Sequence, residues 1–273
     1  VKENFPAPIS FNSSLLGHWN DGNLYSDLNP KYNDIWGYSD SQGNEFAVIG
    51  TWDGTNIVDI ASNQETGFIP GSYSSHRDIK SFGNYIYIGT EANWSDPFED
   101  GYSIESQGIQ VVDMSNPYNP LLVNEWDGVV HSHNIMEHEG YLYVIGSTRE
   151  SGSDDSESWG LDDLIVLDLS YPEDPEKVGG WSGDYLHDVC MHQNVLFGCG
   201  ISSDVLHVFD ISDKTNPVHV SSVENIPSVH ACWVSEDGNT LFTASETSGG
   251  YVMSWDVSDV QNINLLDSWY PNG

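Results

Sequence analysis

Ile109-Gln110-Val111-Val112-Asp113-Met114-Ser115-Asn116-Pro117-Tyr118-Asn119-Pro120 is the stretch on which the fold turns. A short run of β-formers, ended by Asp and a Pro-closed turn, makes a strand that stops sharply. The same phrase returns as Thr55-Asn56-Ile57-Val58-Asp59-Ile60, Leu164-Ile165-Val166-Leu167-Asp168-Leu169, Leu206-His207-Val208-Phe209-Asp210-Ile211 and Val252-Met253-Ser254-Trp255-Asp256-Val257. Working outward, a second phrase precedes each copy: Asn33-Asp34-Ile35, Arg77-Asp78-Ile79, His133-Asn134-Ile135, His187-Asp188-Val189 and His230-Ala231-Cys232. Its anchors at 34, 78, 134, 188 and 231 are spaced 44, 56, 54 and 43 residues apart. A third apolar phrase lies between these two, as in Tyr85-Ile86-Tyr87-Ile88-Gly89, and a fourth follows the turn, as in Leu121-Leu122-Val123-Asn124-Glu125-Trp126. Four short strands per repeat, without sustained helical periodicity, predict an all-β fold: a β-propeller of four-stranded blades, with five blade repeats visible. The blades fall at about 33–75, 76–128, 131–183, 185–227 and 228–270, so residues 1–273 read as a single propeller domain. Leu15-Leu16-Gly17-His18-Trp19-Asn20 resembles the fourth phrase and predicts an orphan outer strand over 15–20. Either the ring closes at five with a spare strand, or the chain is a shortened or incomplete six- to seven-bladed ring.

Composition bounds the partners. The 273 residues carry 42 Asp plus Glu against 7 Lys plus Arg, a formal net charge of −35. Clustered Lys and Arg are what phosphate neutralisation needs, so no nucleic-acid partner is expected. No run of 18 apolar residues predicts membrane insertion. Ten Trp and 14 Tyr are far more aromatic surface than a disordered acidic tail carries. The charge suits either a salty exterior or the binding of divalent cations. The chain opens on Val1-Lys2-Glu3-Asn4, which reads as a mature end after signal removal or as an arbitrary boundary.

Propeller geometry converts the repeat into a map, since innermost strands line the central channel and loops of one face meet at its mouth. His133, His187 and His230 open three first strands, His76 sits one residue before that register and His131 two. Asp78 and Asp188 stand beside them. Imidazole and carboxylate together suit a transition metal and also proton transfer. Equally, such residues at a strand start can hydrogen-bond the backbone of the neighbouring blade. Blades two and three carry long acidic loops with Asp96, Glu99 and Asp100 in one, and Asp154, Asp155 and Asp162 in the other. Hard oxygen ligands there suggest Ca²⁺, although neither loop has EF-hand spacing. Glu91, Trp94, Trp159, Arg77 and Arg149 are candidate ligand-binding residues, the Trp for an apolar or sugar face and the Arg for a carboxylate. The turn residues Asp59, Asp113, Asp168, Asp210 and Asp256 read as caps. Nucleophile-elbow, phosphate-loop, Cys-x-x-Cys and His-Glu-x-x-His motifs are missing, so no enzyme template fits and catalysis stays open.

The sequence resembles the LVIVD-repeat propellers of the choice-of-anchor B family. The resemblance rests on Asn33-Asp34-Ile35-Trp36-Gly37-Tyr38, Asp53-Gly54-Thr55, His76-Arg77-Asp78-Ile79-Lys80, Gly108-Ile109-Gln110-Val111-Val112-Asp113, His133-Asn134-Ile135 and Tyr185-Leu186-His187-Asp188. It implies an exported bacterial protein, extracellular or at the cell surface, with further blades after Trp269-Tyr270-Pro271-Asn272-Gly273 and no established reaction. It also favours a Cys190–Cys199 disulfide, leaving Cys232 as a buried free thiol. A hairpin symmetric about Gln193 would set Cys190 opposite Leu196, so that bridge requires a bulge or a shift. The resulting expectation is a non-catalytic binding or scaffold module for an unknown extracellular ligand or protein, with Ca²⁺ or a transition metal as the candidate ion. The alternatives are a metal-assisted hydrolase or lyase on an extracellular polymer using the His ring, and a self-assembling structural subunit.

Overall fold

The computed structural model describes residues 14–22, 31–91, 108–129, 131–147, 162–247 and 250–270. Among the described residues twenty strands form five antiparallel four-stranded sheets, each a meander in chain order. Blade one holds β1 Tyr32–Ser39, β2 Glu45–Thr51, β3 Gly54–Asp59 and β4 Gln64–Pro70. Blade two holds β5 Arg77–Phe82, β6 Tyr85–Thr90, β7 Ile109–Asp113 and β8 Leu121–Trp126. Blade three holds β9 Asn134–His138, β10 Tyr141–Ile145, β11 Leu164–Asp168 and β12 Glu176–Trp181. Blade four holds β13 Asp188–His192, β14 Val195–Gly200, β15 Val205–Asp210 and β16 Val218–Val223. Blade five holds β17 Val229–Val234, β18 Thr240–Ser245, β19 Val252–Asp256 and β20 Asn264–Trp269.

The repeated phrase is the third strand, and burial explains its composition. β3 is buried along its whole length, and in β7 and β11 only the closing Asp is less than buried. A strand covered on both faces by neighbouring sheets reads as a continuous apolar run. The outermost strands face water, β20 throughout. Each third strand ends where its Asp carboxylate accepts the backbone N–H two residues on: Asp59 from Ala61 at 2.7 Å, Asp113 from Ser115 at 2.7 Å, Asp168 from Ser170 at 2.7 Å, Asp210 from Ser212 at 2.8 Å and Asp256 from Ser258 at 3.1 Å. The third-to-fourth strand pairing then carries one register shift in every blade.

Four apolar cores lie between successive sheets. Ile57, Ile79 and Val112 belong to the first; Ile109, Ile135 and Leu167 to the second; Ile145, Val189 and Phe209 to the third; Phe197, Cys232 and Trp255 to the fourth. Among the described residues no fifth core joins blade five to blade one. Consistent with that, Trp233 and Phe242 face each other across β17 and β18 while 67 % and 45 % exposed, and Ile35 of β1 is 64 % exposed. The described sheets form a five-bladed arc.

Residues 15–20, expected as an orphan strand, form none. Every sheet already owns a fourth strand, so none is left for them to complete. The segment instead lies against blade one, where Asn63 Nδ2 donates to the His18 carbonyl at 2.8 Å and the Tyr32 hydroxyl donates to Asn20 at 2.6 Å.

Polar latches stitch the blades together beside the channel. Asp34 Oδ2 accepts the Ile79 N–H at 2.8 Å, Asp78 Oδ2 accepts that of Ile135 at 2.7 Å, and Asp188 Oδ2 accepts that of Cys232 at 3.0 Å. In blade three Asn134 takes the same position and donates Nδ2 to Asp188 at 3.0 Å. Asp78 and Asp188, expected with the histidines, therefore point into the interface with the next blade. Asp78 is buried and also pairs with the buried Lys80. Burial pushes its carboxyl up to about 6, against the pull of Lys80. Arg77 is likewise redirected. It is 1 % exposed, and its guanidinium donates to the carbonyls of Thr51 at 2.9 Å, Trp52 at 3.4 Å and Ser72, bolting blade two to blade one rather than waiting for a ligand.

Candidate metal centre at the channel mouth

The innermost strands β1, β5, β9, β13 and β17 pack side by side. The residue just before each latch is on the opposite side of the chain, because side chains alternate along an extended backbone. In blades three, four and five that residue is histidine; in blade two Arg77 turns inward and His76 supplies the ring. The result is an arc of four imidazoles. His76 stacks on His133 with centroids 4.3 Å apart and planes at 8°, His133 meets His187 at 3.9 Å, and His187 meets His230 at 4.3 Å.

Two carboxylates close the arc. His133 Nδ1 lies 2.5 Å from Glu91 Oε1, and His230 Nε2 lies 3.8 Å from Glu246 Oε2. Glu91 directly follows β6 and Glu246 directly follows β18, so both come from the exit of a second strand. The ligand atoms of His76, Glu91 and His133 lie within 4.8 Å of one another, as do those of His187, His230 and Glu246. Two ligands held about 2.1 Å from one tetrahedral ion stand roughly 3.4 Å apart, inside the 4.8 Å within which each set is gathered.

Tautomers favour coordination. His76 Nε2 faces the His133 carbonyl at 2.6 Å and His187 Nδ1 faces that of His230 at 3.3 Å. A ring nitrogen facing a carbonyl must donate, which leaves His76 Nδ1 and His187 Nε2 with lone pairs. This is how ligating histidines are oriented, the second nitrogen being tied to a backbone oxygen. Protonation points the same way. Burial first, and then the neighbouring His133, lower the His76 pKa; burial, His133 and His230 lower that of His187 to about 3. Both rings are neutral at neutral pH. Burial works against the charge of Glu91, but its bond to His133 and the nearby His76 and His131 outweigh it, so it stays ionised. Space for His133 is made by Gly146, whose φ is +63° and whose Cβ, if present, would sit 2.2 Å from that of His133.

The other expected residues are distributed as follows. His131 lies near Glu91. Asp162, assigned to a calcium loop, is held by Lys177 Nζ and Ser182 Oγ, both at 2.8 Å. Trp94, Asp96, Glu99, Asp100, Arg149, Asp154, Asp155 and Trp159 lie outside the described residues. Glu246 had escaped the sequence reading; its signal is its place after Ser245, equivalent to Glu91 after Thr90. The Cys190–Cys199 disulfide is replaced by three free buried thiols. The hairpin turns on two residues, with Gln193 at φ +51° and His192 paired with Val195, so Cys190 faces Phe197 and Cys199 faces Asp188.

An arc of blades with a histidine-lined mouth defines a β-propeller with a candidate metal centre. The LVIVD repeat model matches residues 104–127 and 201–225, which supports the LVIVD-repeat family for this chain. An uncharacterized protein of Archaeoglobus fulgidus is 23 % identical over 200 residues, covering 68 % of this chain, and this chain spans only 28 % of that relative. Among solved structures, a functionally unknown protein from Desulfotomaculum acetoxidans aligns over 89 % of this chain and 71 % of its own, with a TM-score of 0.60 and 11 % identity. Kuenenia stuttgartiensis hydrazine synthase aligns over 92 % and 69 %, with a TM-score of 0.56 and 12 % identity. The β-propeller domain of a Myceliophteria thermophila protein aligns over 85 % and 70 %, with a TM-score of 0.52 and 11 % identity. At these identities the likeness is one of fold.

Proposed function

We propose that this is an extracellular or cell-surface propeller of the choice-of-anchor B type, acting as a non-catalytic binding module whose channel mouth takes a divalent transition-metal ion. The observation that carries the reading is the continuous arc of His76, His133, His187 and His230 with Glu91 and Glu246 at its flanks. Neutral imidazole with carboxylate suits zinc, copper, iron or manganese better than calcium. The test is metal content by mass spectrometry on untagged protein purified without chelator, beside the double variant His133→Ala/His187→Ala. Stoichiometric transition metal that falls by at least one equivalent in the variant is expected. Calcium alone, or a metal content the variant does not change, overturns the reading.

One observation favours a second reading. Each set supplies two histidines and one glutamate, the number of protein ligands that leaves a fourth position for water on a hydrolytic metal. The two sets adjoin through His133 and His187. Metal-dependent hydrolysis of an extracellular polymer, abolished by the same double variant, would bring this reading forward.

A further inference from the structure

The chain has three cysteines, and the fold brings all three together in the interface between blades four and five. Alternation along β13 places Asp188 and Cys190 on one face, and Cys199 of β14 is the cross-strand neighbour of Asp188. Cys232 of β17 enters the same space from blade five. Its thiol contacts those of Cys190 and Cys199, and its Sγ lies 3.6 Å from the Phe197 carbonyl. The ligand atoms of Asp188, Cys199 and Cys232 lie within 4.8 Å of one another. The thiols are buried: Cys199 is 0 %, Cys190 1 % and Cys232 7 % exposed.

We infer that Asp188, Cys190, Cys199 and Cys232 form a second, sulfur-rich metal site, separate from the histidine arc, that takes one Zn²⁺. Apolar packing does not explain the arrangement. An ordinary buried cysteine acts as a small hydrophobe among aliphatic neighbours, whereas here the Cys232 sulfur meets those of Cys190 and Cys199 and lies, with that of Cys199, beside the Asp188 carboxyl. Thiolates select zinc and other soft ions, and thiolate sulfurs in a tetrahedral zinc site stand about 3.8 Å apart, compatible with the spacing of Asp188, Cys199 and Cys232; Cys190, in contact with Cys232, would complete the set by side-chain rotation. Asp188 spends one lone pair of Oδ2 on the Cys232 N–H and one of Oδ1 on Asn134 Nδ2, leaving each oxygen another lone pair for a cation. Those two bonds also fix the carboxylate, as the outer partners of a metal ligand do. On binding, each thiol proton, and any proton held by the Asp188 carboxyl, passes to solvent as the ligand atom coordinates, with no change in oxidation state.

Cobalt(II) titration of the whole chain, purified under reducing, metal-free conditions, tests the site. One thiolate-bound Co²⁺ per chain, beyond any held by the histidine arc, is expected to give thiolate-to-cobalt charge transfer in the near ultraviolet and the intense visible bands of a tetrahedral ion, both erased by excess Zn²⁺. The bands should vanish in Cys232→Ser, weaken in Cys190→Ser and persist in His133→Ala/His187→Ala. Histidine-bound cobalt gives no sulfur charge transfer, so the outcome is independent of the channel-mouth site. Wild-type protein without that charge transfer overturns the inference, whatever the variants do. So does a disulfide joining Cys232 to Cys190 or Cys199 in the protein as isolated, found by peptide mapping.

Discussion

Replacing Asp78 with Ala separates a latch from a ligand. The carboxylate spans two blades, accepting the Ile135 N–H of β9 at 2.7 Å while neutralising the buried ammonium of Lys80. Removing it strands a backbone donor, worth about 1–3 kcal/mol. It also leaves a buried cation unpaired, and breaking one partner of such a pair costs about 3–5 kcal/mol. The two penalties share one cavity and do not add in full. Lys80 keeps two partial supports, the Ile79 carbonyl at 3.2 Å and the Trp36 ring at 5.0 Å. The expected loss is therefore about 3 kcal/mol, near the lower end of the ion-pair range. The near-isosteric Asp78→Asn retains an acceptor for Ile135 and should lose less. Asp210→Ala, which removes an exposed turn cap, should cost about 1 kcal/mol or less. Urea unfolding followed by tryptophan fluorescence measures all three. A loss below about 1 kcal/mol for Asp78→Ala would refute the latch. So would an unchanged unfolding curve accompanied by loss of bound metal, which would return Asp78 to the ligand set.

Two buried tyrosines give opposite outcomes from the same substitution. Tyr143→Phe should raise stability by about 1 kcal/mol, because its buried hydroxyl has no hydrogen-bond partner among the described residues, whereas Tyr87→Phe should cost about as much by losing the bond to the Pro172 carbonyl at 2.9 Å. Burial holds both phenols above their ordinary value of 10.0, so as pH rises past 10 the unfolded chain sheds these protons first and stability is lost; spectrophotometric titration should show them ionising only with unfolding. Gly146→Ala should cost about 1–2 kcal/mol from the left-handed backbone and more from displacing His133, with loss of metal at the His76, Glu91 and His133 set. Gly83→Ala, at φ +57° with open space around it, is the control that carries only the backbone cost in the same melts.

The repeat was legible because its physics is local. A strand buried on both faces must be apolar throughout, and a terminal Asp that accepts the N–H two residues on is visible as spacing alone. Side-chain destinations were harder to read. The pair His187-Asp188 looks like one polar motif, yet the two residues serve opposite sides of the chain. Arg77 looks like a ligand until three carbonyls of the previous blade claim it. Glu246 is not legible because a single carboxylate at a short strand exit carries no spacing of its own, and only the fold sets it opposite His230. The cysteines failed for two reasons. The two-residue turn moves the register by one relative to a count centred on Gln193, and Cys232 reaches the others only through packing between sheets.

The distribution of the two residue types around the arc distinguishes scaffold from site. Latches occupy Asp34, Asp78, Asn134 and Asp188, in the four blades that are followed by another sheet; blade five has Ala231 there, and no described sheet follows it. Histidines instead occupy blades two to five, and blade one has Asn33 in the corresponding place. His230 remains where the latch is lost, 3.8 Å from a carboxylate whose counterpart in blade two sits against His133. Folding accounts for the Asp and Asn residues and for the ring nitrogens that His76 and His187 spend on carbonyls of the next blade; the nitrogens left over at the mouth are the ones the proposed cation would use.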